Sequence, residues 1–196
     1  HGDTLPTDRR TIAHAFADAG YRTSWVGKWH LAGAISPLGW HAGADYWVPP
    51  YQRGGFEDWF GFDCSNHFYN TRYTTGKLNY PPLKLEGYQT DALTDLSLNY
   101  LKEHAGKLNA GGTPWFHVLS VEAPHPGEDE QGVYGHPAPP EFADRFKTDG
   151  ITLRDNVPSD WHDRSRKKLA GYYAQVANLD HNVGRILQWL DEVGME

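Results

Sequence analysis

Cysteine and methionine are nearly missing from this sequence: Cys64 and Met195 are the single examples in 196 residues. One cysteine excludes an internal disulfide framework and leaves the redox compartment open. Excess positive charge is missing too. Twenty-five acidic against 18 basic side chains give a formal net charge of −7, so no cationic surplus exists to neutralise a phosphate backbone, and a nucleic-acid partner is not expected. No apolar run is long enough to span a bilayer, and no signal peptide is visible. No Asn-x-Ser/Thr sequon occurs, which argues against a heavily glycosylated eukaryotic secreted protein. The first residue is His1 rather than Met, so the natural N-terminus is expected upstream.

What is present describes an ordered domain. Hydrophobic residues at 39% and charged residues at 22% are inconsistent with disorder, and the length suffices for one domain with a core. Aromatic residues at 14%, with 8 Trp and 11 Tyr, suit the aromatic-lined surfaces of carbohydrate-active enzymes and fill cores equally well. An acidic chain still binds an anion where a few cations are focused in one pocket.

The spacing predicts a helix over 7–19, capped by Thr7 and stopped by Gly20, followed by a strand over Tyr21–Val26. Residues 31–87 are rich in Gly, Pro, Asn and aromatics and read as site-forming loops, with short strands near Trp59–Asp63 and His67–Tyr73. Leu93, Leu96, Tyr100 and Leu101 mark a helix over Thr90–His104. Trp115–Ala123 is apolar apart from His117, Ser120 and Glu122 and reads as a mostly buried central strand. After a Pro- and Asp-rich loop at 124–160, a long helix runs from about Arg164 to Val193. Its stripe of Leu169, Tyr172, Val176, Leu179, Val183, Ile186, Leu187 and Leu190 is expected to face the core. The alternation of helix and strand without a linker or repeat indicates one α/β unit.

Two positions stand out chemically. Lys28 follows Gly27 at the exit of the first strand, and His125 follows the second strong strand between Pro124 and Pro126. If both strands lie in one parallel sheet, both side chains reach the crevice at its carboxyl edge. Taken alone, Lys28 reads equally as a solvated strand end, and His125 as a rigid surface turn. Asp45, Asp63, His67, Asp129 and His136 match no standard zinc or calcium spacing. Asp180 is expected to pair with a neighbour such as Arg185 or with a backbone group, and Arg164, Arg166, Lys167 and Lys168 read as a solvated helix face.

The wording around these positions resembles a known family. Gly20, Tyr21, Thr23 and then Gly27-Lys28-Trp29-His30-Leu31 match the second signature of the type I sulfatases, within the alkaline-phosphatase-like superfamily. WFHVLSVEAPHPG (115–127) is similar to their buried strand followed by Ala-Pro-His-x-Pro. YYAQVANLDHNVGRILQWLDEVG (172–194) is similar to their long helix. The resemblance implies a mainly parallel sheet flanked by helices, incomplete here, and a whole enzyme that hydrolyses aryl or carbohydrate sulfate esters. It assigns a sulfate oxygen to Lys28, support of the nucleophile to His30, and the leaving-group oxygen to His125. Asn66 and His67 would lie in a loop that approaches the substrate, although a hydrogen-bonded tether is the favoured use for that loop. A sulfate ester needs positive charge on its non-bridging oxygens and a proton for its departing oxygen, which a lysine and a histidine supply. A bacterial periplasmic or secreted location follows from the same resemblance.

The family's Cys/Ser-x-Pro/Ala-x-Arg pentad, source of formylglycine, does not occur in this sequence, and Cys64 is followed by Ser-Asn-His-Phe. The Asp pair and the Asp-His-Gly or Asp-Asn-Gly of the expected Ca²⁺ site do not occur either. Residues 1–196 therefore read as an internal part of one catalytic domain, with no metal ligand of its own. Nothing within reach in sequence balances Lys28, His30 and His125 with carboxylates. The alternatives are a phosphonate or phosphate monoester hydrolase of the same superfamily and a non-catalytic anion-binding protein.

Overall fold

A computed structural model describes residues 4–33, 46–76, 82–108 and 112–195. Asp45 lies outside the described residues. Helix α1 (Ile12–Asp18) leads into β1 (Arg22–Lys28), and β2 (Asp58–Phe62) follows. Strands β3 (Arg72–Thr75) and β4 (Leu83–Lys84) precede helix α2 (Gln89–Leu108) and strand β5 (Trp115–Ser120). A two-stranded ribbon of β6 (Gly127–Glu128) and β7 (Tyr134–Gly135), a single turn α3 (Pro140–Ala143) and the long helix α4 (His162–Glu192) complete the order. The main sheet runs β4-β3-β2-β1-β5. Strand β1 is parallel to both β2 and β5, whereas β3 and β4 add antiparallel, so the half that carries the site is the parallel half.

Alternation along the strands divides the core into two layers. Trp25, Trp59, Phe116 and Val118 turn to one face and pack with Ala13 of α1, Trp29, Val48 and Phe56. The rings interlock, with Trp25 and Trp29 edge to face at 4.8 Å and Phe16 stacked on Phe116 at 4.1 Å. Each fully buried ring contributes about 2–3 kcal/mol. Val26, Phe60, Phe62 and Leu119 point to the opposite face, against Ala92 and Leu93 of α2. Helix α4 then covers α2 through Trp189 and Ile186 against Leu98 and Leu101.

Four local expectations change. Helix α1 starts at Ile12, because Thr11 rather than Thr7 caps it. Its hydroxyl takes the third helical N–H, and His14 Nδ1 accepts the Thr11 N–H at 3.1 Å. The expected 67–73 strand forms later, as β3, because Thr71 Oγ1 bonds the His67 carbonyl and closes a turn first. Strand β5 is not central. Among the described residues it is the sheet's edge, and its side chains are half-buried. Helix α4 buries Ala170, Ala174, Gln175, Asn178, Asn182 and Trp189, while Tyr172, Val176, Val183 and Leu187 of the expected core stripe are exposed. The reason is electrostatic: α2 presents Asp91, which accepts from Asn178 Nδ2 at 2.8 Å and Asn182 Nδ2 at 2.6 Å. Arg185 pairs with Asp95 of α2 instead of with Asp180.

Candidate active site

The site is assembled from the carboxyl ends of the three parallel strands. Gly27 pairs with Gly61 on β2 and with Ser120 on β5, so the chain leaves all three strands at one level. Gly27 has φ +111°, and a Cβ there would lie 2.0 Å from the Ser120 carbonyl oxygen. Only glycine allows β1 and β5 to approach this closely. Lys28 emerges next, beside the Asp63–His67 loop after β2 and the Glu122–His125 turn after β5.

One carboxylate gathers the chemistry. Lys28 Nζ donates to Glu122 Oε1 at 2.8 Å and lies 3.4 Å from the Asn66 amide. The Asn66 amide sits against the same oxygen, and the orientation that satisfies both groups has its nitrogen donating to Oε1 at 2.6 Å and to the Ser65 carbonyl at 3.1 Å. His125 Nδ1 is 3.7 Å from Oε1 and hydrogen-bonds the Pro126 carbonyl at 2.5 Å, so Nδ1 carries the hydrogen and Nε2 is left for a ligand. Gln89 Nε2, at the start of α2, holds the other oxygen at 3.3 Å and Thr71 Oγ1 at 2.8 Å. Side-chain exposure rises from 0% at Glu122 to 14% at Lys28 and 50% at His125, which orders them from floor to mouth.

The remaining candidates lie around this centre. His67 Nδ1 meets Glu128 Oε2 at 3.0 Å, the Phe68 N–H donates to the Glu128 carbonyl at 3.1 Å, and the Glu128 N–H donates to the Asn66 carbonyl at 2.6 Å. Gly127 makes that contact possible, since a Cβ would come 2.4 Å from the Asn66 carbonyl oxygen. His30 has an exposed side chain, φ +55°, and an N–H bonded to the Asp63 carbonyl at 2.7 Å. Among the described residues its imidazole makes no hydrogen bond or ion pair. The structure thus brings Lys28, Asn66 and His125 together and does not join His30 to them. Cys64 is buried, and burial pushes its thiol up, away from a reactive thiolate.

Glu122 corrects the expectation that no carboxylate balances these cations. Its sequence signal was a lone acidic residue at the end of an apolar run. Gln89 carried no signal at all, because its role depends on α2 beginning under the β5 exit.

Residues 1–196 match the sulfatase family throughout. The chain belongs to that family. It is 30% identical over 193 residues to the ulvan-active sulfatase of Formosa agariphila, which covers 97% of this chain and 34% of that protein. The N-acetylglucosamine-6-O-sulfatase of Bacteroides thetaiotaomicron is 26% identical over 178 residues, 82% of this chain and 27% of that protein. The chain spans about a third of the length of these curated relatives. In fold, the YidJ protein of Bacteroides fragilis superposes with a TM-score of 0.82 at 20% identity, over 98% of this chain and 42% of that one.

The divalent cation that the resemblance implies finds no fit among the described residues. They hold no group of three or more His, Cys, Asp or Glu side chains that could bind a metal ion. The carboxylates around the site are engaged, Glu122 by Lys28, Glu128 by His67 and Asp63 by the Ala32 N–H. What this sulfatase segment provides is an ammonium held in place, an imidazole at the mouth and a buried negative charge behind them.

Proposed function

We propose that residues 1–196 form the sulfate-binding part of the catalytic domain of a sulfuric ester hydrolase acting on sulfated carbohydrates. One observation carries this reading: Lys28, closing β1, and His125, in the turn after β5, meet at the carboxyl edge of the parallel strands around a single buried carboxylate. Lys28 would neutralise a non-bridging sulfate oxygen. His125, in its imidazolium form, would give its Nε2 proton to the sugar oxygen as the S–O bond breaks, so that the sugar leaves as an alcohol. The nucleophile and any Ca²⁺ would come from sequence outside this segment, since the pentad does not occur in its sequence and no metal cluster occurs among the described residues. Carbohydrate rather than simple aryl sulfate is favoured by the names of the two relatives, an ulvan-active sulfatase and an N-acetylglucosamine-6-O-sulfatase.

The test is the protein encoded with its flanking sequence, assayed for inorganic sulfate release from ulvan oligosaccharides, N-acetylglucosamine 6-sulfate and an aryl sulfate, beside a phosphonate monoester. Sulfate release abolished by Lys28→Ala is expected. Faster turnover of the phosphonate ester, or no sulfate released from any substrate, would overturn the reading.

A further inference from the structure

Glu122 poses a chemical problem: a sulfate pocket has a carboxylate at its floor. The carboxylate is wholly removed from solvent and fixed from three directions, by Lys28 of β1, Asn66 of the loop after β2 and Gln89 of α2, with His125 Nδ1 of its own turn 3.7 Å away. Gln89 is itself fully buried and tied to Thr71, whose hydroxyl is bonded to the His67 carbonyl, so no rotamer change frees the carboxylate when an anion arrives. The Cys64 thiol lies within electrostatic reach of Glu122, Lys28 and Asp63. Lys28 has two further N–H donors beyond the one aimed at Glu122, so an anion at the mouth would sit with the ammonium between it and Glu122.

We infer that Glu122 is a positioning and charge-balancing residue that weakens this site's hold on doubly charged inorganic sulfate more than its hold on a singly charged sulfate ester. The inference rests on the sulfate-pocket reading above. A sulfate ester carries one negative charge, and the inorganic sulfate produced from it carries two. Repulsion from a fixed carboxylate scales with the charge of the anion, so the product is disfavoured twice as strongly on a free-energy scale as the substrate. A pocket of cations alone would hold its product most tightly. Glu122 narrows that preference by lowering the net positive potential, and it does so without leaving Lys28 mobile, because the same carboxylate fixes the ammonium.

The experiment titrates the full chain with sodium sulfate and with methyl sulfate at constant ionic strength and pH, following backbone amide resonances of residues 27–30 and 122–125. Glu122→Gln is expected to tighten methyl sulfate about fivefold and sulfate by roughly the square of that, about 25-fold. Glu122→Asp, which withdraws the charge by about 1.5 Å, shifts both in the same direction by less. Should Glu122→Gln fail to fold, by its near-ultraviolet circular dichroism, Glu122→Asp decides alone. A sulfate gain no larger than the methyl sulfate gain overturns the inference, whichever variant is read. Sulfate binding that Lys28→Ala abolishes but that the Glu122 variants leave unchanged overturns this inference and leaves the pocket reading standing. Sulfate that fails to perturb residues 27–30 in any form overturns both.

Discussion

Lys28 and Glu122 stand 94 residues apart in sequence and meet at 2.8 Å, the first closing β1 and the second following β5. The pair is buried on the carboxylate side and open on the ammonium side. Desolvation of a buried ion pair offsets much of its Coulombic attraction, whereas removing one partner strands the other charge in the interior.

Lys28→Met should therefore destabilise the chain by about 3 kcal/mol, by leaving Glu122 unpaired, while Lys28→Met combined with Glu122→Gln should recover most of that loss. Urea denaturation of the two variants and the parent chain measures it. A double variant no more stable than the single one contradicts the pairing.

Gly27→Ala should be severely destabilising. The added Cβ meets a backbone carbonyl rather than a yielding side chain, and φ +111° is itself unfavourable for alanine. A loss of about 3 kcal/mol or more is expected by thermal or urea unfolding. Gly20→Ala, where a Cβ meets nothing within 4 Å, should cost less, about 1 kcal/mol. Equal losses at the two positions would show that strand approach is not what Gly27 permits.

Acid should weaken the fold in two separate windows. Burial pushes His117 down to about 4, where it bridges Ser24 Oγ at 2.7 Å and Ser97 Oγ at 2.5 Å between β1 and α2. Its ordinary value is 6.5, so between pH 6.5 and about 4 the unfolded chain binds a proton that the folded chain refuses. Stability should fall by about 3 kcal/mol as pH drops through that range and then level off for this group. Asp58 acts lower: burial pushes its carboxyl up, but hydrogen bonds from Arg22 and Tyr100 outweigh that and leave it below its usual 3.8. Its contribution is present above that value and is lost as pH falls through the lowered one. Unfolding free energy measured from pH 7 to 3 tests both, and His117→Gln should flatten the upper window alone.

In the longer protein, His125→Ala should discriminate between leaving groups. A sugar alkoxide needs a proton as it departs and a nitrophenolate hardly does, so kcat/KM should fall about 10³-fold for a sugar sulfate and about tenfold or less for 4-nitrophenyl sulfate. Equal losses on both substrates would remove His125 from proton transfer. Residues 1–196 alone should show no sustained turnover of either ester with added Ca²⁺, since they contain no activated nucleophile.

The elements that place Lys28 were legible because their signals are local. The helix stop at Gly20, the short run into Gly27 and the punctuation by prolines around His125 are each visible within a few residues. Glu122 was visible only as an exception in an apolar run, and its meaning depended on Lys28 and Gln89 arriving from elsewhere in the chain. Strand β5 was assigned to the centre from composition, which reports how apolar a strand is and not how many neighbours it has. Helix α4 was misoriented because a periodic count of apolar residues cannot see Asp91 on the helix it packs against.

That last feature has a consequence for the shape of the surface. The fully buried Asn178 and Asn182 both donate to Asp91, and hydrogen bonds of this kind are met at only one rotation of the helix about its axis. Hydrophobic attraction alone has no such angular preference, and would let α4 roll until Val176, Val183 and Leu187 were inside. Two amides on one carboxylate act as a keyway: they set the roll of a 31-residue helix and hold its apolar side outward along several turns.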